Sequence, residues 1–436
     1  MKFQLALLAA FALTTGVRAD DWPQWMGPKR DNVWREEGIV EKFPEGGPKK
    51  LWSAPLAGGY SGPAVVGDRL FVTDYVKKTG ETDEGNFERK ETTGTERVFC
   101  LDAKTGKEIW KHEYVVKYAI SYPSGPRATP TVDGDLVYTL GAEGKLIAFD
   151  AKSDQAKVVW EKELKEVYKT KSALWGYAAH PLIDGKKLIT LAGGAGSHVI
   201  ALDKTTGKEI WKAETQQEQG YSPPTIIEAG GKRQLIVAGP SAIRSLNPET
   251  GERYWSEKYE ATSGSVIMTA IQYKEYLYFG GYSARNILLK LDSAKPAAKM
   301  EWKDKPKSGL ASVNVQPFLQ GDTMYGFDDN GTMYAVELPS GKRLWESTEL
   351  VGAAKGSETA FLVKNGDRFI SFTERGDLVL CKLTKEKYEE IDRAKGIVAA
   401  TNTAFGRKVV WCAPAFAHKR MYVRNDKEIA CFDLAK

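Results

Sequence analysis

Residues 100–110, C-L-D-A-K-T-G-K-E-I-W, are the stretch that decides the fold. The pattern predicts a β-strand, a tight Thr-Gly turn and a second strand that ends on a large aromatic residue. It recurs at residues 201–211, 245–255 and 335–345, with looser copies at residues 148–160 and 290–302. A unit repeated in this way indicates an architecture in which one supersecondary element is stacked many times.

Eight polar turns divide the chain after residue 62 into units of similar length. They lie at residues 66–68, 133–135, 184–186, 230–232, 273–275, 320–322, 365–367 and 418–420. Each turn leads into a strand of alternating β-forming residues, such as Leu136, Val137 and Tyr138. A second turn, a third strand, the Thr-Gly type of turn and the tryptophan strand follow, which predicts four strands in each unit.

Tryptophan recurs at one place in these units, and Ile391 takes that place in the seventh. The tryptophans are Trp52, Trp110, Trp160, Trp211, Trp255, Trp302 and Trp345. The eighth unit has three strands, whereas the strand around Trp52 has no partner. We therefore predict an all-β fold: an eight-bladed β-propeller of four-stranded antiparallel blades, closed by an N-terminal strand that joins the last blade. The tryptophans are interpreted as structural, each docking one blade on the next and burying about 150–250 Å².

Three segments are predicted along the chain. Residues 1–19 combine a basic Lys2, an apolar run and the small-x-small sequence Val17-Arg18-Ala19, a pattern typical of a secretory signal peptide. Residues 20–49 form an aromatic, proline-rich lead segment that we expect to lie across the surface of the propeller, which spans residues 50–436. Since the apolar run is shorter than the ~20 residues that span a bilayer, we expect a soluble periplasmic or secreted chain and no membrane span.

Composition excludes some classes of partner and site. The 62 Lys and Arg residues are scattered among 57 Asp and Glu residues, and no basic run would track a phosphate backbone, so nucleic acid is not expected. The four histidines show no metal-ligand spacing, and we expect a monomer without a metal site.

Cys100, Cys381 and Cys431 occupy one small position of the repeat and are interpreted as free core thiols. A disulfide that involves Cys412 is the alternative.

The pattern A-x-D-x-x-T-G-x-x-x-W resembles the tryptophan-docking motif of the pyrroloquinoline quinone (PQQ)-like repeat family. Residues 201–211 match it at every defined position, and residues 100–110 match it except for Cys100 in place of alanine. The resemblance covers about residues 50–436 and implies the eight-bladed fold. One branch of the family comprises periplasmic quinoprotein dehydrogenases, which bind PQQ and Ca²⁺ over the channel. A scaffold branch, similar to BamB of the outer-membrane β-barrel assembly machinery, keeps the propeller without the cofactor.

The dehydrogenase branch carries a vicinal pair of cysteines beside its quinone, Ca²⁺ ligands and an aspartate base on long loops. Here no two cysteines are adjacent and most connections are short, so no catalytic residue is transferred from that branch. The resemblance then implies an exported, non-catalytic propeller without a cofactor, which binds an envelope protein or a small ligand at its loop face. The alternative is a small PQQ- and calcium-dependent periplasmic dehydrogenase of alcohols or sugars.

Aromatic and polar residues stand where the chain enters the innermost strand of each predicted blade. In a propeller these positions converge around the axis on one face, where they form a candidate site for a ligand or peptide. The candidates are Tyr60, Ser61, Arg127, Trp175, Tyr177, His180, Tyr221, Ser222, Asn314, Gln316, Glu358 and Trp411. A charged insert at residues 77–96 interrupts a turn on the same face, and it either shields this mouth of the channel or forms a solvated loop.

Overall fold

The computed structural model describes residues 20–78, 87–352 and 356–436, which form eight four-stranded antiparallel sheets. The strand Lys50–Pro55 (β1) pairs with the C-terminal strand, and Trp52 lies opposite Cys431. The predicted eight-bladed propeller, with its N-terminal strand completing the last blade, is confirmed. Because β1 supplies the fourth strand of the last blade, all eight blades are complete and the first and last blades are joined.

The first seven blades are each built from four consecutive strands, and the eighth from the last three strands and β1. Blades 1 to 4 contain β2 (Ala64–Val66), β3 (Arg69–Lys77), β4 (Lys90–Asp102), β5 (Glu108–Ile120); β6 (Thr131–Asp133), β7 (Leu136–Leu140), β8 (Lys145–Asp150), β9 (Val158–Glu163); β10 (Leu182–Asp184), β11 (Lys187–Leu191), β12 (Val199–Asp203), β13 (Glu209–Ala213); and β14 (Thr225–Ala229), β15 (Lys232–Ala238), β16 (Ala242–Leu246), β17 (Arg253–Lys258). Blades 5 to 7 contain β18 (Ile271–Tyr273), β19 (Tyr276–Gly281), β20 (Arg285–Leu291), β21 (Ala298–Lys303); β22 (Phe318–Gln320), β23 (Thr323–Phe327), β24 (Met333–Glu337), β25 (Lys342–Ser347); and β26 (Ala360–Asn365), β27 (Arg368–Thr373), β28 (Leu378–Leu383), β29 (Tyr388–Ala394).

Few elements lie outside this repeat. A hairpin of β30 (Asn402–Ala404) and β31 (Arg407–Val409) follows blade 7, and β32 (Ala415–Ala417), β33 (Arg420–Arg424) and β34 (Glu428–Asp433) then complete blade 8. The helices are the α-helix α1 (Leu164–Tyr168) and a single 3₁₀ turn (Thr262–Gly264). In the part of the chain that the structure describes, neither helix is long and apolar enough to cross a membrane.

Each docking tryptophan joins its blade to the next one. The indole Nε1–H of six of the seven donates a hydrogen bond to a backbone carbonyl in the outer turn of the following blade. These bonds run from Trp52 to Ala103 (3.2 Å), Trp110 to Ser153 (3.1 Å), Trp160 to Lys204 (2.9 Å), Trp211 to Pro248 (3.2 Å), Trp302 to Pro339 (2.9 Å) and Trp345 to Thr384 (2.9 Å). Trp255 differs because its Nε1–H donates to Gln234 Oε1 within its own blade, at 2.8 Å.

The seventh blade lacks this tryptophan, and the prediction that Ile391 takes its place is wrong by one residue. Asp392 lies opposite Leu380 in the register that the tryptophans occupy elsewhere, whereas Ile391 falls in the β-bulge and is 38% exposed. Cys381 is displaced by one residue from the predicted repeat position in the same way, and its side chain packs towards blade 6 instead of blade 8. Because successive side chains of a strand point to opposite faces, a shift of one residue exchanges the two faces.

The lead segment fills the space that the missing tryptophan leaves. Trp34, Ile39 and Phe43 are buried in one cluster with residues of blades 7 and 8. The side-chain amide of Asn365 donates to the carbonyl of Trp34 at 3.0 Å, and the backbone N–H of Phe43 donates to the Asp392 carboxylate at 2.6 Å. The lead segment therefore does more than cover the surface, because its apolar side chains complete an interface between blades.

The first part of the lead segment crosses the central channel. Trp22 exchanges backbone hydrogen bonds with Val65 in the innermost strand of blade 1. Across the channel, Arg30 Nη1 donates to the carbonyl of Pro181, which leads into blade 3, at 2.9 Å. Burial lowers the pKa of the Arg30 guanidinium to about 10. The segment thus lies across one end of the channel, and the opposite end forms the mouth.

Candidate functional site

A cavity of about 1100 Å³, which includes the space at its opening, lies at the mouth of the channel. Segments that lead into the innermost strands form most of its wall. Its lining among the described residues contains ten aromatic side chains: Trp25, Tyr60, Phe87, Tyr122, Trp175, Tyr221, Tyr282, Phe361, Phe405 and Trp411. The lining that the structure describes contains neither a carboxylate nor a thiol, and Arg127 is its one charged side chain.

The aromatic rings of the wall pack on one another and so hold their orientation. Trp411 lies 5.9 Å from both Tyr122 and Phe405, measured between ring centroids. On another side of the mouth, Trp175 lies 5.3 Å from Tyr221. These separations are typical of edge-to-face and tilted aromatic pairs. The cavity therefore has stiff apolar walls before any ligand enters.

The hairpin of β30 and β31 carries Phe405 to the rim and is anchored through Glu374. Arg407 Nε donates to Glu374 Oε1 at 2.6 Å, and the indole Nε1–H of Trp411 donates to Glu374 Oε2 at 2.8 Å. Burial raises the pKa of Glu374, and its hydrogen bonds to Arg407 and Trp411 oppose that rise. One buried carboxylate thus positions two elements of the wall.

The floor of the cavity is a stack of two rings. The indole of Trp25, from the lead segment, lies on the imidazole of His180 with a centroid separation of 4.6 Å and an interplanar angle of 14°. Burial, with a smaller contribution from Arg30, lowers the pKa of His180 well below its ordinary value. His180 is therefore neutral at physiological pH, and its buried Nδ1 has no hydrogen-bond partner within the described part of the chain.

Through backbone carbonyls, Arg127 ties its own connection, between β5 and β6, to the segment that carries Trp175. Its Nε donates to the carbonyl of Trp175 at 2.9 Å, one terminal nitrogen donates to the carbonyl of Ser121 at 2.9 Å, and the other donates to the carbonyl of Gly125. Its guanidinium carbon lies 5.2 Å from the centre of the Tyr60 ring. No carboxylate of the described residues lies within ion-pair distance, so the charge of Arg127 is not neutralised by a direct partner.

Seven of the twelve predicted residues line the cavity. They are Tyr60, Arg127, Trp175, His180, Tyr221, Asn314 and Trp411. An eighth, Gln316, lines a narrower space beside Trp25 and His180, below the main cavity.

Four predicted residues lie behind the lining, because their side chains turn into the blades. Tyr177 donates through its hydroxyl to the carbonyl of Ala192 at 3.0 Å, and Ser222 donates to that of Met268 at 2.7 Å. The Ser61 hydroxyl pairs with that of Thr73 at 2.7 Å. Glu358 accepts a hydrogen bond from Arg375 Nε at 2.7 Å. These four side chains therefore do not line the cavity, because buried polar groups are normally hydrogen-bonded and these find their partners within the protein.

Six of the ten rings that line the cavity are not among the predicted residues, and one of the six, Phe361, lies in the innermost strand of blade 7. Phe87 and Phe405 lie in segments that do not belong to the repeat, and Tyr282 lies in a turn of blade 5. Tyr122 follows the unusually long strand β5, and Trp25 reaches the cavity through the channel. The one available signal was an aromatic residue inside an otherwise polar connection.

The described part of the insert at residues 77–96 reaches the rim of the cavity. Its ends extend β3 and β4 into a long hairpin, while residues 79–86 lie outside the described residues. The ring of Phe87 lies 5.8 Å from Trp175 and 6.4 Å from Tyr282. Arg89 Nη1 donates to the carbonyl of Ser172 at 2.9 Å. The insert of blade 1 therefore contacts segments of blades 3 and 5.

The residues at the mouth do not fit a PQQ and calcium site. Within the described ranges, no group of three or more His, Cys, Asp or Glu side chains could hold a metal ion. All four cysteines are buried and free, so the alternative of a disulfide involving Cys412 is wrong. Carboxylate and amide oxygens are the ligands that Ca²⁺ requires, and Asn314 alone supplies such a side chain to the cavity lining that the structure describes.

Eight blades around an aromatic mouth, seven of them with a tryptophan at the docking position, define a propeller of the PQQ-like repeat class. The family model described as outer membrane protein assembly factor BamB matches residues 36–153, 94–347 and 241–436. These overlapping matches span nearly the whole propeller, and the chain belongs to this family.

Individual relatives come from both branches. The chain is 23% identical over 268 residues to the outer membrane protein assembly factor BamB of Shewanella oneidensis, which covers 58% of this chain and 65% of that protein. It is 32% identical over 193 residues to the quinohemoprotein alcohol dehydrogenase ADH IIB of Pseudomonas putida, covering 42% of this chain but 25% of that protein. The crystal structure of BamB from Moraxella catarrhalis superposes with a TM-score of 0.58 at 18% identity, covering 88% of this chain and 99% of that chain. At such identity the structural likeness concerns the fold alone.

Proposed function

We propose that this chain is an exported, non-catalytic binding protein of the cell envelope, which holds a partner segment or a small ligand in the aromatic cavity at its channel mouth. The observation that carries the proposal is the cavity lining, in which ten aromatic rings occur without a carboxylate or thiol among the described residues. Such a wall offers apolar burial and shape, but no carboxylate or thiol nucleophile and no set of metal ligands. His180, its one imidazole, is buried against Trp25 and is not paired with an acid there.

Family membership supports the envelope role. The relative from Shewanella oneidensis is named an outer membrane protein assembly factor, although the chain aligns with less than two thirds of its length. Residues 1–19 have the pattern of a secretory signal, and we propose that they direct export. The lead segment covers one end of the channel. The mouth at the opposite end is therefore the face that is open for recognition of a partner.

A quinoprotein dehydrogenase is the second candidate, favoured by the 32% identity to ADH IIB. Its test is to mix the purified protein with PQQ and CaCl₂, remove free PQQ by desalting and record the absorbance. We expect no retained quinone band, because the mouth lacks a carboxylate set for the cation. A stoichiometric band would support the dehydrogenase.

The binding function is tested by photocrosslinking in the native envelope. A photoreactive phenylalanine analogue at Phe405, on the cavity rim, is compared with one at Val115, which is 79% exposed on the outer strand of blade 1. We expect an adduct at position 405 that is absent at position 115 and is lost when Trp175→Ala is added. Adducts of equal yield at both positions, or none at 405, would overturn the proposal.

A further inference from the structure

We propose that the occupant of this cavity is an extended peptide segment of a partner protein that carries an aromatic side chain beside a carboxylate. This inference rests on the proposed binding function and specifies the class of ligand. It combines three features of the mouth: its aromatic walls, the uncompensated charge of Arg127, and two buried polar atoms without partners.

The first feature is that peptide aromatic rings already enter this space from two directions. Trp25 enters from the lead segment and stacks on His180, and Phe87 enters from the insert and packs against Trp175 and Tyr282. Neither Trp25 nor Phe87 lies in a strand of a blade. The cavity therefore accommodates aromatic side chains carried by peptide segments, and the open space between these rings suits another one.

The second feature is the charge balance at the mouth. Among the described residues near the rim, three arginines have carboxylate partners: Arg89 with Glu218, Arg407 with Glu374, and Arg375 with Glu358. Arg127 has none within ion-pair distance in that part of the chain, although it lines the cavity. A carboxylate on the ligand would supply this missing charge.

Glu96 is the carboxylate whose charge interacts with Arg127, and it does not act as a direct partner. It lies between blades 1 and 2, is 1% exposed and accepts hydrogen bonds from the hydroxyls of Tyr114 and Tyr118 and from the N–H of Ala142. Burial raises the pKa of Glu96, these hydrogen bonds oppose that rise, and Glu96 is not part of the cavity lining. The positive field at the mouth thus remains available to a ligand.

The third feature is a pair of unsatisfied polar atoms in the lining. The hydroxyl of Tyr122, a residue 8% exposed, and the Nδ1 of His180 are both buried without hydrogen-bond partners in the described part of the chain. Buried polar groups are normally paired, so such atoms mark positions where a ligand group belongs. The backbone of an extended peptide offers both N–H donors and C=O acceptors, and the open mouth lets the chain continue on either side.

The test uses the full chain and three fluorescein-labelled heptapeptides, with binding followed by fluorescence anisotropy. The first probe is Gly-Ser-Asp-Trp-Asp-Ser-Gly, the second replaces its Trp by Ala, and the third replaces both Asp by Lys. We expect saturable binding of the first probe and binding at least about tenfold weaker for the other two. Raising the NaCl concentration should weaken binding of the first probe, because a charge at an open mouth is screened.

Protein variants provide the second arm. Trp175→Ala should weaken the first probe about tenfold, whereas Val115→Ala should leave its affinity unchanged. Circular dichroism checks that Trp175→Ala is folded, and the comparison among probes does not depend on that variant. Equal binding of the three probes, or binding of none, would overturn the inference. A crosslink at position 405 without binding of the first probe would reject the peptide class while the binding function stands, and loss of both would reject both.

Discussion

The indole ring of Trp52 lies directly against Gly106, so that a Cβ atom on Gly106 would stand 2.4 Å from the ring. The same ring donates its Nε1–H to the carbonyl of Ala103 at 3.2 Å. Trp52 belongs to the strand that completes blade 8, and Gly106 lies in the outer turn of blade 1. This contact therefore joins the last blade to the first. Trp160 and Gly207 form the same contact between blades 2 and 3, where a Cβ atom on Gly207 would stand 2.7 Å from the indole ring.

The Gly106→Ala substitution should destabilise the propeller far more than Gly134→Ala. Both glycines have a positive φ, +73° and +58°, but a Cβ at Gly134 would meet no atom within 4 Å. We expect a loss of about 1 kcal/mol for Gly134→Ala from backbone strain, and about 3 kcal/mol for Gly106→Ala from strain and overpacking. Urea denaturation measures both, and equal losses would show that the docking contact does not limit stability.

Trp34→Ala should weaken the interface between blades 7 and 8. Trp34 is 1% exposed, and its Nε1–H donates to Glu36 at 2.9 Å. Removing a buried tryptophan costs about 3–5 kcal/mol, and we expect a correspondingly lower melting temperature. Phe87→Ala is the control, because Phe87 is 47% exposed and its loss should change the melting temperature little. A wild-type melting curve for Trp34→Ala would mean that the lead segment does not support the ring.

Stability should fall as the pH drops from about 6.5 towards 4, in part through His198. Burial is the main cause that lowers the pKa of His198 to about 4; Arg244 adds to it, whereas the bond to the Gln219 carbonyl opposes it. The unfolded chain, with an ordinary histidine pKa of about 6.5, takes up the proton first, so this stabilisation is complete above that pH and is lost below it.

The His198→Gln variant tests this origin. The stability of the wild-type chain should lose up to about 3 kcal/mol through this residue across that window, and the variant should show a shallower decline. His112→Gln provides a comparison, because His112 is only partly buried. Denaturation curves at pH 7 and pH 4.5 measure the difference. Parallel declines in wild type and His198→Gln would assign the effect to other groups.

The four thiols should be unreactive in the folded protein. All four are buried, and burial raises the pKa of Cys381 and of Cys412 to about 12. Because the thiolate is the nucleophile, we expect almost no reaction with Ellman's reagent at pH 8 until denaturant is added, and then four thiols per chain. Two thiols after denaturation would indicate a disulfide, and rapid reaction of the folded protein would indicate an exposed cysteine.

Some residues of the mouth could be predicted from the sequence, whereas the direction of their side chains could not. Trp175 and Trp411 were found because they stand where a propeller chain enters its innermost strands, and both line the cavity. Tyr177, at a similar position, points into the blade and bonds to Ala192. The pattern locates a backbone segment near the axis, but the side-chain direction depends on turns that carry no period.

The sequence by itself determined the number of blades, the four strands in each, the docking tryptophans and the closure by β1. Each of these is encoded locally, in turn residues, in alternation along strands and in a repeated spacing. Only the tertiary structure decided that the lead segment crosses the channel, that its Trp34 and Phe43 replace a missing tryptophan, and that Trp25 and Phe87 both line the cavity. These contacts join residues far apart in the chain, and their geometry follows from packing around the axis, which no local pattern records.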